Sequence, residues 1–461
     1  MSYDNNSALN TNYYKDPRTA TIVINEHNFS ADRINVTMTA SNDGAGASIP
    51  SVNGWSTSGN THTATISFAS DALYTFDIAY TDLAGNAAAD YSQDKFYIDN
   101  TDPVLEITPK TLNNSANNGE VKPIVTASDS NFDQVSIKLI GSNRGVVKQF
   151  NGSYSDIHNG RVFSFANFAE EKEIDDIYTL SATVTDKAGR STTKSVTFSV
   201  NRFGSTYSID KEIEDLNNSY VKKAKDVVVT EVNVNELSNI KITLFKNNDT
   251  IVLKKGTDYR IDRTGGNGQW YKYVYTIFAA NFAEDGVYRI SIHSEDAAGN
   301  VAENTLDTKD MEINFGVDST LPTININNLE NHATYALDKM TVLMTINDNL
   351  NLTKVTVYLD GKECQSWTGD SITKMISGGG NFSIDIPGDS MEAHSLRVVA
   401  VDAAGNEKTE EVNDFYVTTN LWVRYYNNKG VFYGSIAGTV ALAGLLVFLV
   451  VWKRRKDEKK V

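Results

Sequence analysis

Two groups of aspartates are the residues whose type and placement could do chemistry in this chain. Asp99, Asp129 and Asp186, with Asp102 and Asp133 beside them, form one group, and Asp318, Asp348 and Asp402 form the other. Carboxylates that converge with backbone carbonyls make an all-oxygen site, and calcium takes about six to eight oxygens. The EF-hand spacing is absent, so only the fold could assemble these acids. A plainer reading stands beside this one: the same acids cap turns or face water on an acidic protein.

Other chemistry is not found. Cys364 is the sole cysteine, which excludes an intrachain disulfide and a cysteine-based zinc site. His27, His62, His158, His293, His332 and His394 are scattered, and none lies at metal-ligand spacing from another. No nucleophile elbow, phosphate-binding glycine loop or supported pair of catalytic acids is present. The glycines of "SGGGN" from Ser377 and "TGGNG" from Thr264 read as hairpin or loop residues. Trp55, Trp270 and Trp367 could stack on sugars, but each sits mid-unit between strands, where core or edge packing is expected. No catalytic residue and no cofactor is expected, calcium aside.

What would position the aspartates is a repeat. "YTFDIAYTDLAGN" begins at Tyr74, "YTLSATVTDKAGR" at Tyr178, "YRISIHSEDAAGN" at Tyr288 and "HSLRVVAVDAAGN" at His394. The matched positions are Tyr74, Asp82 and Gly85, then Tyr178, Asp186 and Gly189, then Tyr288, Asp296 and Gly299, then His394, Asp402 and Gly405. The aspartates are 104, 110 and 106 residues apart, the size of an immunoglobulin-like sandwich and too long for a solenoid repeat. Each phrase follows matched alternating runs, which order as strands B, C, E, F and G with A before them. Period-two alternation puts the Tyr-phase residues on the core face. The Tyr also fits the tyrosine corner, altered where His394 replaces it. The Asp should cap the turn into strand G, with Gly and Asn tolerating positive φ.

In these phrases, and in "FYIDNTDP" and "INFGVDSTLP" at the joints, the chain resembles tandem bacterial immunoglobulin-like domains of Gram-positive surface proteins. The resemblance covers about residues 10–418. It implies an all-β chain of four tandem immunoglobulin-like β-sandwiches, serving as stalk, adhesin rod or accessory module of a carbohydrate-active enzyme. The expected repeats are 1–101, 102–203, 204–319 and 320–419. The B–C and F–G loops then share a pole with the incoming joint, where the two aspartate groups would gather. Joints one and three place Pro103 and Pro322 four residues after an Asp, which stiffens them. The second, "NRFGSTY", has neither feature and is expected to bend more easily.

A linker, 420–430, leads to 431–452, which has 22 residues without a charge and spans roughly 33 Å as a helix. Aromatics flank it and a basic tail, 453–461, follows, so a single-pass transmembrane helix with a cytoplasmic C-terminus and extracellular repeats is expected. Gly430, Gly434 and Gly438 have the four-residue spacing of close-packing membrane helices. Met1 opens a polar stretch and no sortase motif precedes the apolar run. The expectation is a C-terminal piece of a longer exported protein, anchored directly in the membrane, its first repeat lacking most of strand A. The formal charge is −16, and an acidic body disfavours nucleic acid. The expected partners are the membrane and a host or cell-surface glycan or protein. The alternatives are an accessory region of an upstream carbohydrate-active enzyme or protease, and a glycan- or protein-binding module.

Overall fold

The computed structural model describes residues 1–309, 311–388 and 391–457, so residues 458–461 of the basic tail lie outside the described residues. Runs of Val, Ile, Thr, Tyr and Phe with period-two alternation form strands because one face of each can be buried while the other stays wet. Eight sheets result, two to each repeat. In the first repeat one sheet orders Ser2–Tyr3, Arg18–Asn25, Thr61–Phe68 and Ser56–Ser58. The other orders Tyr13–Tyr14, Asp94–Ile98, Ala72–Tyr80, Ile34–Asn42 and Ala45–Gly46. In sandwich letters this is A-B-E-D over A′-G-F-C-C′. The short A′ strand runs parallel to G in all four repeats. Strand A of the first repeat has two residues, against five in Val104–Thr108 of the second.

The fourth repeat departs from this order. Its smaller sheet has three strands, Thr323–Ile326, Lys339–Asn347 and Asn381–Pro387. A helix, Asp370–Ser377, stands where the D strand would be. Ile372, Met375 and Ile376 fall at helical spacing, and the first two pack into the core. Gly378 caps the helix, and Gly379 and Gly380 leave it at φ of 89° and 69°. Of the hairpin or loop expected at "SGGGN", the loop is what forms: the glycines end the helix and lead into the strand from Asn381. "TGGNG" does form the turn between Tyr259–Gly266 and Gln269–Ile277.

Each sandwich has its own hydrophobic core, so each buries its apolar faces within itself. Strand F supplies the centre: Tyr74 and Phe76, then Tyr178, Leu180, Ala182 and Val184, then Tyr288, Ile290 and Ile292, then Leu396, Val398 and Ala400 are all buried. The hydroxyls of Tyr74, Tyr178 and Tyr288 donate to the carbonyls of Ser70, Ile174 and Glu284, four residues back, at 3.0, 2.6 and 2.6 Å. His394 cannot make that bond. Its Nδ1 pairs instead with Asp360 Oδ2 at 2.8 Å.

After strand F the glycines take the left-handed region as the turn requires, with φ of 92°, 89°, 88° and 81° at Gly85, Gly189, Gly299 and Gly405. The Asn that follows has a different job from the one expected. Asn86 and Asn406 each turn their side-chain amide back onto Oδ2 of Asp82 and Asp402, while the backbone N–H of the same Asn meets Oδ1. The chain enters strand G at once in the second and fourth repeats, through Ser191–Val200 and Glu407–Val417. In the first and third it loops before Asp94–Ile98 and Ile313–Val317.

The presumed linker is helical at Leu421–Asn427, and a helix from Lys429 to Asp457 follows. The latter is long and apolar enough to cross a membrane, and none of its apolar window is buried against the sandwiches.

Candidate metal centres at the joints

Three segments meet at each joint: the residue just after strand G of one sandwich, and the B–C loop and strand-F end of the next. At the first joint this brings Asp99, Asp129 and Asp186 together, with one carboxylate oxygen of each within 4.8 Å of the others. At the third joint Asp318, Asp348 and Asp402 converge within the same limit. Asp102 and Asp133 stand apart. Asp102 is exposed and pairs with Arg190 at 3.0 Å, and Asp133 is exposed.

The B–C loop acid is held by an Asx turn, the local chemistry of Asp and Asn. Asp129 Oδ1 accepts from the Asn131 N–H at 2.7 Å, and Asp348 Oδ2 accepts from Leu350 and Asn351 at 3.0 Å. Each acid keeps one oxygen for its turn, and the other is left over. Six buried side-chain atoms lack a partner among the described residues, and three are here: Asp186 Oδ2, Asp318 Oδ2 and Asp348 Oδ1. Asp186 is 0% exposed and Asp318 1% exposed. Two like charges this close repel by about 3 kcal/mol at an effective dielectric of about 20. Burial, then the neighbouring carboxylates, push Asp129 up to about 6 against the bond from Asn131. The same causes push Asp318 up to about 6, and burial raises Asp99 and Asp186. Such a group is costly unless a proton or a cation is added.

The second joint has the same architecture with different atoms. Asn201 stands where Asp99 and Asp318 stand, and Asn233 holds the B–C Asx turn through the Asn235 N–H at 2.8 Å. Only Asp296 remains acidic. Asn201 Nδ2 donates to Asp296 Oδ2, Asn233 Oδ1 and Asn235 Oδ1 at 2.8, 2.9 and 3.0 Å. Asn233 Nδ2 donates to Asp296 Oδ2 at 3.2 Å and to Ser205 at 2.9 Å. A nitrogen must face this cluster, because the surrounding atoms only accept. Both amides are buried and every one of their polar side-chain atoms is bonded.

A second set of contacts ties all three joints and was not foreseen. The residue after the turn glycine reaches across to the carbonyl that ends the preceding sandwich. Asn300 donates to the Asn201 carbonyl at 2.7 Å, and Asn406 to the Asp318 carbonyl at 2.9 Å. Arg190 replaces Asn in the first joint and uses Nε on the Asp99 carbonyl at 3.0 Å, with a further bond to the Lys15 carbonyl. The strand-F turn, expected to be hairpin chemistry alone, is also a buckle between sandwiches.

The second joint, expected to bend more easily for want of the Asp and Pro, is tied across by the amide cluster. Its linker is held to the preceding sandwich, as at the other joints: the Arg202 backbone N–H donates to Asp175 at 3.0 Å and its guanidinium to the Ala169 carbonyl at 2.7 Å. Trp270 Nε1 donates to Asp176 of the preceding sandwich at 2.8 Å. Trp270 is therefore a bridge between units, while Trp367 is buried in the fourth core and Trp55 packs against the first. Sequence reasoning weighed prolines and carboxylates and gave the Asn residues no weight. The signal was there: Asn201 and Asn233 occupy the repeat positions of the acids.

No protein-family model matches the chain, and no curated protein matches it. Among solved structures it is similar to an I-band fragment of titin, I67–I69, at 13% identity, covering 69% of this chain and 99% of that one, with a TM-score of 0.32. A tetra-tandem repeat from the extending region of a large adhesion protein is 16% identical over 88% of this chain and 95% of its own, with a TM-score of 0.35. The N-terminal eight Ig domains of Down Syndrome Cell Adhesion Molecule are 12% identical over 90% of this chain and 49% of theirs, with a TM-score of 0.31. At these identities and scores nothing about function is drawn from them.

Proposed function

We propose that the chain is a non-catalytic, membrane-anchored extracellular stalk or adhesin segment of a Gram-positive surface protein. The observation that carries this is the serial buckle: each sandwich after the first grips the carbonyl that ends the one before it. Such contacts fix the relation of neighbours, which is what a spacer needs. The apolar helix at Lys429–Asp457 gives the row an anchor. Its last turn carries Arg454, Arg455 and Lys456, which favours a cytoplasmic end and extracellular sandwiches. A glycan or a protein on a host or neighbouring cell is the partner class such a segment presents itself to, directly or through a domain upstream.

The test is protease shaving of intact cells of the source bacterium, with a tag added after Val461 in the native gene. The reading expects sandwich fragments released to the medium and a protected tagged tail. Sandwiches protected in intact cells and cleaved only after lysis would contradict it.

A further inference from the structure

We propose that Asp99, Asp129 and Asp186, and likewise Asp318, Asp348 and Asp402, each bind one calcium ion between two sandwiches, and that the middle joint fills the same site with the Asn201 amide. Three observations carry this. The first is the reach of the carboxylates. Oxygens on opposite sides of one calcium lie at most about 5 Å apart, and each triad has an oxygen from every acid within 4.8 Å of the others. The second is the state of those oxygens. Asp186 Oδ2 and Asp318 Oδ2 belong to fully buried side chains and have no donor among the described residues. A buried carboxylate oxygen with no donor, beside two more carboxylates, calls for positive charge. The donor set is oxygen alone, which suits a hard cation and not zinc or copper.

The third observation is the middle joint. Two of its three acids are amides, and Asn201 Nδ2 sits among three oxygens at 2.8–3.0 Å. One protein thus contains the same junction in two chemical forms. Where the acids are kept, Asp186 Oδ2, Asp318 Oδ2 and Asp348 Oδ1 go unmatched among the described residues, although Asn131 donates to Asp99 Oδ2 and Asn406 to Asp402 Oδ2. Where two acids are amidated, an N–H group matches the oxygens. Each triad takes one acid from the preceding sandwich and two from the next, so an ion held there also holds the joint. Withdrawing calcium would then loosen the first and third joints and leave sandwiches two and three as a fixed pair. This mechanical consequence rests on the stalk reading, whereas the ion binding does not.

The experiment is calorimetric titration of calcium chloride into the full chain in detergent micelles, after treatment with chelator. The expected result is two ions per chain. Asp129→Asn and Asp348→Asn should each remove one, and Asn201→Asp combined with Asn233→Asp should raise the number to three. Near-ultraviolet circular dichroism reports whether each variant is folded. Terbium luminescence quenched by calcium gives a second readout that needs only the unaltered chain. No binding to the unaltered chain by either method, or two ions retained in the folded Asp→Asn variants, overturns the sites. Two ions in the unaltered chain without a third in the folded Asn→Asp variant overturns the reading of the middle joint. None of these results depends on where the chain resides, so failure here is distinct from failure of the stalk reading.

Discussion

The first and third joints differ from the second in a way that their shared backbone makes easy to see. In all three, a strand-G end meets a B–C loop held by an Asx turn, and the residue after the turn glycine grips the same carbonyl. The outer joints place three carboxylates at the meeting point and leave oxygens unmatched. The middle one places two amides there and leaves nothing unmatched. Replacing oxygen by NH₂ changes a group that needs a cation into one that supplies its own donors. If the proposed ions are bound, the comparison teaches that a joint can be held by atoms on the chain or by an ion, and that a two-residue change selects between them.

The comparison can be broken or sharpened in several ways. The largest effect lies inside a sandwich and should leave the joints alone. Phe315→Ala empties a buried position in the third core and is expected to cost about 3–5 kcal/mol. Calorimetry should show one transition moving down while the other sandwiches keep theirs. If all transitions shift together, the sandwiches are not independent and differences among joints lose their meaning. Next is the calcium linkage. With calcium at about a hundred times its dissociation constant, each site adds about 2.7 kcal/mol. Asp99→Asn with Asp129→Asn should abolish the rise at the first joint, and should raise stability in chelator by removing like charges. Thermal melts with and without calcium measure both.

A smaller effect is expected at the middle joint. Asn201→Ala removes one of several donors to Asp296 Oδ2 and one of two to Asn233 Oδ1, and losing a hydrogen bond to a charged group costs about 1.5–3 kcal/mol. The loss should be the same in calcium and in chelator, and a loss that calcium rescues would contradict the assignment of this joint. The smallest is Tyr178→Phe, which removes only the hydroxyl bond to the Ile174 carbonyl and is expected to cost about 1 kcal/mol. The fourth sandwich has no counterpart to that change, because His394 bonds a side chain and not the E–F corner.

Much of the fold could be read from residues. Strand F was legible because its alternation is strict and its Tyr, Asp and Gly recur. Its buried face, the tyrosine corner and the left-handed glycines all follow from local chemistry. The convergence of Asp99, Asp129 and Asp186 was also within reach, since strand order alone puts their loops at one pole. Other features were hidden for physical reasons. The helix at Asp370–Ser377 is short, and its apolar spacing was masked by the glycines after it. The Asn of the turn was read for its backbone tolerance when its side chain does the work, on Asp Oδ2 and, in the third and fourth repeats, on the preceding sandwich. Asn201 and Asn233 carry no charge and no obvious motif. Their role shows only when they are set against the acids that occupy their places elsewhere in the chain.

The central claim is that sandwiches of one kind are joined by two chemistries. The most direct measurement is the distance distribution across each joint by electron spin resonance, from label pairs introduced on a Cys364→Ser background. Adding chelator should broaden the distributions across the first and third joints and leave the second unchanged. Three joints that respond alike, or a second joint that alone broadens, would contradict the account.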